Sequence, residues 1–120
     1  MKDRIRFISH KGKKILLADA SNYSGKELVQ LAPLVLAQVT AEPRGSVLLL
    51  ADFSGSKVDK KTLEALKPAL VLDRPYLKRS AWVGTENLPK IFYEHLKSFS
   101  QRDLPTFKTR EEAMDWLVQD

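Results

Sequence analysis

Residues 46–66 read SVLLLADFSGSKVDKKTLEAL, and this stretch decides the fold. Residues 47–51 form a continuous apolar run that is too short for a helix. Such a run is typical of a strand that is covered on both faces inside a mostly parallel sheet. Asp52, Ser54 and Ser56 follow at its carboxyl end, where open α/β sheets usually build their sites. We therefore expect a functional loop of this protein to lie here.

The composition predicts one domain over residues 1–120 and agrees with a reducing compartment without requiring one. The chain has 20 basic and 15 acidic residues, a net charge of +5, and no cysteine. The missing cysteines exclude disulfides, thiolate metal sites and cysteine nucleophiles. Most basic residues have an acid nearby, which favours a solvated surface over a specific nucleic-acid interface. No secretory signal or transmembrane segment is recognisable, so we expect a cytoplasmic protein.

The chain before the central strand predicts a hairpin and a long helix. Residues 5–9 and 14–18 form a β-hairpin whose turn exposes His10. Ser24 and Glu27 have the spacing of a capping box at the start of a helix. The buried face of that helix is predicted to contain Leu28, Val29, Leu31, Ala32, Val35, Leu36 and Val39.

Two residues of this first helix depart from a regular amphipathic pattern. Pro33 removes a backbone donor and should kink or divide the helix. Leu34 lies among polar residues, so it is predicted to be exposed or to contact a partner.

Three helices and two strands are predicted after the central strand. Asp59 can cap a second helix, which buries Leu63, Leu66 and Leu70 and which Pro68 interrupts. Residues 80–83 form a short strand.

The last third of the chain predicts a helix, an edge strand and a final helix. Thr85 or Asn87 can cap the third helix, whose apolar face includes His95. Residues 105–108 form a short edge strand, and a capping box at residues 109–112 begins the fourth helix.

This order predicts an α/β fold with a mixed sheet and four helices. The N-terminal hairpin is antiparallel, and right-handed crossovers make the remaining strands mainly parallel. Loops 19–25, 52–58 and 84–87 then emerge from one carboxyl edge of the sheet. Helices cover the sheet.

Three motifs carry a resemblance to a known family: LLLADFSGSKVD followed by a helix, LKRSAWVG, and the ending FKTREEAMDWL. Together with the element order, they resemble the STAS superfamily, and more closely its SpoIIAA-like, STAS/SEC14-type branch. The resemblance covers nearly the whole chain. It implies a single STAS-like domain and a SpoIIAA-like fold.

The resemblance does not extend to the family's phosphorylation switch. Anti-sigma-factor antagonists of the superfamily carry an Asp-Ser-Ser-Gly turn whose serine is phosphorylated. The matching residues here are Asp59, Lys60, Lys61 and Thr62, so both serine positions hold lysine. The switch is expected to be absent unless Ser54, Ser56 or Thr62 replaces it.

The resemblance also implies a second kind of ligand, because related folds bury small apolar or lipid-like molecules. The wide first helix and the aromatic third helix are compatible with such a cavity. Ordinary core packing explains the same pattern, and we favour it. The wide apolar helix and Leu34 also make a homodimer plausible.

Two catalytic alternatives come from isolated residues. Asp19, Asp52 and Thr85 at strand ends, with Lys108 nearby, resemble the phosphoacceptor pocket of receiver domains. Receiver domains do not begin with a hairpin, and single acids in loops are more often turn formers. His95 is a candidate general base, but no activated nucleophile accompanies it.

The leading hypothesis is therefore a non-enzymatic STAS-like protein-interaction module. Its alternatives are a carrier of a small apolar ligand and a phosphoreceiver-like or hydrolytic enzyme. We predict no catalytic residue, cofactor or metal site, and no specific nucleic-acid partner. The candidate interaction residues lie in the carboxyl-edge loops: Asn22, Tyr23, Asp52, Ser54, Ser56, Lys57, Asp59, Lys60, Lys61 and Thr85.

Overall fold

A computed structural model describes residues 1–88, residue 94 and residues 105–119. Five strands form one mixed sheet: β1 (Ile5–His10), β2 (Lys13–Asp19), β3 (Val47–Asp52), β4 (Leu77–Val83) and β5 (Thr106–Phe107). They lie in sequence order, so β3 is central as predicted. The β1 and β2 strands are antiparallel, and the other neighbouring pairs are parallel. This confirms the predicted mixed sheet.

The N-terminal hairpin closes through a turn of two residues. Lys11 and Gly12 adopt φ angles of 50° and 80°, the left-handed values that match the twist of two paired strands. The sequence predicted that His10 is exposed in the turn. This is wrong, because His10 is the last residue of β1 and is half-buried. Its Nε2 lies 2.7 Å from the Asp115 carboxylate, which also accepts an ion pair from Lys11 at 2.9 Å. These contacts lower the pKa of Asp115.

The central strand β3 is buried along its whole length because both faces of the sheet are covered. One face packs Leu48 and Leu50 beneath the C-terminal helix α3 (Arg110–Leu117). The opposite face packs Leu49 and Ala51 beneath two helices, α1 (Gly25–Thr40) and α2 (Lys60–Leu72). The domain therefore has three layers.

Local capping fixes where α1 and α2 begin. Ser24 and Glu27 form the predicted capping box of α1, and the Asp59 carboxylate accepts from the Thr62 amide at 2.7 Å. Both helices continue through their prolines, so of the two outcomes predicted for Pro33, a kink or a division of α1, the division does not occur. Pro33 lies on the solvent side, where water can solvate the carbonyl that lost its donor.

Two expectations about the faces of α1 need correction. Val29 was assigned to the buried face but is 40% exposed, whereas Leu34 is half-buried. Leu28, Leu31 and Val39 are buried as predicted, and the partly buried Val35 packs against the same core. The apolar face is therefore narrower than the sequence pattern predicted.

The described ranges contain three complete α-helices, α1 to α3, where the sequence predicted four. Thr85–Asn87 form a 3₁₀ turn, so Thr85 does not cap an α-helix. In the rest of the predicted third helix, Glu94 is helical, and the residues on either side of it, including His95, lie outside the described residues. At the end of the chain, Thr106–Phe107 form the predicted edge strand beside β4, and Thr109 caps α3. None of the helices in the described ranges has the length and apolar character needed to cross a membrane.

We expect Gly84→Ala to destabilise the fold far more than Gly45→Ala. Both glycines have a left-handed φ, 75° and 71°, so alanine is strained at either position by about 1–2 kcal/mol. A Cβ at position 84 would also collide with the backbone of Ser54, whereas position 45 faces open space. That collision should add about 1–3 kcal/mol to the loss in unfolding free energy measured in urea. Equal losses of unfolding free energy in the two variants would show that the loops carrying Gly84 and Ser54 can move apart without cost.

Candidate functional site

The carboxyl edge of the sheet brings two carboxylates side by side. Asp19 and Asp52 end β2 and β3 and are direct partners in the parallel register. The Arg110 guanidinium lies between them: its Nε donates to Asp52 Oδ2 at 2.6 Å, and its Nη2 lies 3.2 Å from Asp19 Oδ1. Arg110 is the first residue of α3, so this contact also fixes the start of that helix.

A second arginine completes the network from the N-terminal side. Arg4 Nη1 lies 3.6 Å from Asp19 Oδ1 and donates to the backbone oxygen of Ser21 at 3.0 Å. Its guanidinium also stacks over the ring of Tyr23, 4.3 Å from the centroid. Tyr23 is therefore buried beneath a cation.

Burial and charge act in opposite directions on Asp19. Burial raises its pKa, but hydrogen bonds from the Ser21 hydroxyl and amide, with the charges of Arg110 and Arg4, outweigh that effect. The net result is a pKa below the ordinary value. Desolvation lowers the pKa of the Arg110 guanidinium, but the carboxylates of Asp52 and Asp19 outweigh that effect and raise it. Asp19 and Arg110 are thus both held in their ionised forms.

The loops at this edge are fastened to one another by hydrogen bonds. Asp52 Oδ1 accepts from the Ser54 amide at 2.9 Å, and the Asn22 amide donates to the Ser54 carbonyl at 2.7 Å. The Lys57 amide donates to the Tyr23 carbonyl at 3.0 Å. Ser56 is 2% exposed and donates its hydroxyl to the Phe53 carbonyl. Loops 19–25 and 52–58 therefore form one connected surface.

The ten predicted interaction residues divide by exposure. Three are buried, namely Tyr23, Asp52 and Ser56, and Ser54 and Thr85 are half-buried. The exposed members are Asn22, Lys57, Asp59, Lys60 and Lys61. The structure brings these residues to one edge as expected, and their role in binding stays a prediction.

Arg110 is the residue that sequence reasoning missed. The sequence placed Lys108 near the end of a later strand as the cation of this edge, but Arg110 is the cation that contacts both carboxylates. The signal was available in principle. Two acids at adjacent strand ends repel each other and need a nearby cation, and the last helix begins at this edge with an arginine.

An apolar cavity of about 100 Å³ lies between the sheet and the two helices α1 and α2. Small side chains leave the space: Ala32 on α1, Ala69 on α2, and Ala18 and Ala51 on the sheet. Leu31, Leu70 and Trp82 are among the larger lining residues, and the one charged residue in the lining is Asp73. Among the described residues of the lining, no other side chain is charged.

The comparison with solved structures identifies the fold. An uncharacterised protein of the DUF3478 family from Shewanella loihica PV-4, whose crystal structure has a SpoIIAA-like fold, matches with a TM-score of 0.71. The two sequences are 16% identical, and the match covers 95% of this chain and 92% of the other. This chain therefore has a SpoIIAA-like fold, as its sequence resemblance implied. No protein-family model matches it, and no curated protein matches its sequence.

We expect Arg110→Met to lower the free energy of unfolding by about 2–3 kcal/mol in urea denaturation. The substitution leaves the Asp52 carboxylate, which is 5% exposed, without its cation. Lys108→Met, at an exposed neighbouring position, should change stability by less than about 0.5 kcal/mol.

The double variant Arg110→Met with Asp52→Asn isolates the ion pair. It should recover part of the loss, because no charge is then left unpaired beside β3. A single variant as stable as the wild type would show that Arg110 contributes no net stability.

Proposed function

We propose that this protein is a non-enzymatic interaction module that binds a protein partner through the carboxyl-edge surface, in the cytoplasm of a bacterium. One observation carries the proposal: the carboxylates at this edge are bonded to Arg110 and Arg4, while the surrounding loops are fastened together. A connected surface loses little conformational entropy on binding, which favours recognition.

The enzymatic alternative has weaker support. A receiver-type site needs carboxylate oxygens that can coordinate a cation, together with a lysine beside the phosphoryl group. Here the Asp52 oxygens accept from Arg110 and from the Ser54 amide, and Lys108 is exposed. This arrangement favours the interpretation of Asp52 as a turn former and ion-pair partner.

Partner capture followed by titration tests the proposal. The chain would be used to capture a partner from a bacterial lysate, and the purified partner would then be titrated calorimetrically. Thr85→Arg places a long side chain on the carboxyl edge and should weaken binding at least about tenfold, whereas Ser46→Arg at the opposite edge should not. A chain that captures no partner and retains nothing in native mass spectrometry would contradict the proposal. Sedimentation of the same preparation tests the homodimer that the sequence makes plausible, and a monomer at high concentration would refute it.

A second candidate function, a carrier of a small apolar ligand, is favoured by the cavity between α1 and α2. Its volume of about 100 Å³ and its apolar lining suit a small hydrocarbon group. The cavity lies beneath the helices, and its described lining contains neither Asp19 and Asp52 nor their arginine partners. The two functions are therefore compatible in one molecule.

Filling the cavity tests this second candidate. We expect benzene to shift the NMR methyl signals of Leu31 and Leu70 in the wild type but not in Ala69→Leu, whose larger side chain occupies the space. Ala65→Leu, at an exposed position of the same helix, should still bind. Ala69→Leu should also raise the melting temperature. A lower melting temperature together with no benzene shift in the wild type would indicate a solid core.

A further inference from the structure

Four exposed lysines surround the place where α1 and α2 begin. Lys26 is the second residue of α1, Lys60 and Lys61 are the first two residues of α2, and Lys57 precedes α2 in the loop. None of the four ammonium groups forms an ion pair with a carboxylate in the described ranges. We call these four residues the lysine cluster.

Backbone contacts hold the members of the lysine cluster near one another. Gly25 packs so closely on the Thr62 side chain that a Cβ would not fit between the two helix ends. The Lys57 amide also donates to the Tyr23 carbonyl, which brings this loop against the start of α1. The cluster therefore belongs to one continuous surface rather than to two separate helices.

Lys60 and Lys61 of the lysine cluster are unfavourable for the stability of α2, the helix that they begin. The first turn of α2 contains no acidic residue, although the positive end of the helix dipole favours acids there. The two nearby carboxylates are used for capping: Asp59 accepts from the Thr62 amide, and Glu27 accepts from the Ser24 amide at 3.0 Å. Folding alone does not explain two lysines at the first two helical positions.

We propose that the lysine cluster binds an acidic segment of a protein partner, an inference that rests on the proposed interaction function. The four lysines outnumber the two capping carboxylates, Asp59 and Glu27, so this surface carries an excess of positive charge that an acidic segment complements. Val29 lies one helical turn after Lys26 and is 40% exposed. An apolar contact beside the lysines suits a protein segment better than a phosphate backbone, which offers no apolar side chain.

The test uses a synthetic peptide of alternating glutamate and leucine as the probe. Fluorescence anisotropy should show binding that weakens as salt is raised. Lys60→Glu with Lys61→Glu should reduce the affinity about tenfold or more, because two attractions become repulsions. The same variant should melt at a higher temperature, since glutamate suits the start of α2. Weaker binding by a more stable protein would exclude misfolding as the cause.

Arg44→Glu with Lys78→Glu is the matched control. It makes the same change in net charge at exposed positions on the opposite edge of the sheet, and its affinity should stay within about twofold of the wild type. No peptide binding by the wild type, or equal binding by the Lys60 and Lys61 variant, would overturn the inference. So would tighter, cluster-dependent binding to phosphatidylglycerol vesicles or to duplex DNA. A captured native partner that binds the Lys60 and Lys61 variant as tightly as the wild type would contradict the inference but leave the proposed function intact.

Discussion

Asp19 and Asp52 end neighbouring parallel strands, and the charge repulsion between them is relieved by the Arg110 guanidinium. This contact joins the sheet to the first residue of α3, which covers one whole face of the central strand. Arg4 adds a second cation at Asp19 and buries Tyr23 beneath it. The order of the carboxyl edge therefore depends on one ion-pair network that links the two ends of the chain.

The same network decides what the carboxyl edge can do. Carboxylates that accept from arginines and backbone amides are committed to structure, and they hold the loops in a fixed relation. The lysines at the starts of α1 and α2 make no such contact within the described residues, so they remain accessible to an external acid. In the proposed function, recognition and structural support therefore fall to different residues of one edge. The described lining of the apolar cavity contains none of these ionised residues.

The parts of the fold that depend on local sequence were predictable. The buried strand, the hairpin and the caps of α1, α2 and α3 each rest on residues within one short segment. Arg110 and Asp52 are 58 positions apart, and His10 and Asp115 are 105 positions apart, so no local pattern pairs them.

The two helical prolines are a case in which a local signal was misleading. Pro33 and Pro68 interrupt the helical pattern, yet both helices continue because the prolines face solvent. The cavity depends on how small side chains from separate elements happen to face each other. Neither outcome follows from periodicity.

The central claim is that the paired carboxylates at the carboxyl edge are structural and that this edge binds rather than reacts. Incubation of the full chain with radiolabelled acetyl phosphate and Mg²⁺ tests this claim most directly, with Asp52→Asn as the comparison. The account predicts no magnesium-dependent phosphoryl label on either protein, because the Asp52 oxygens are engaged by Arg110 and the Ser54 amide. A label on the wild type that disappears in Asp52→Asn would contradict it.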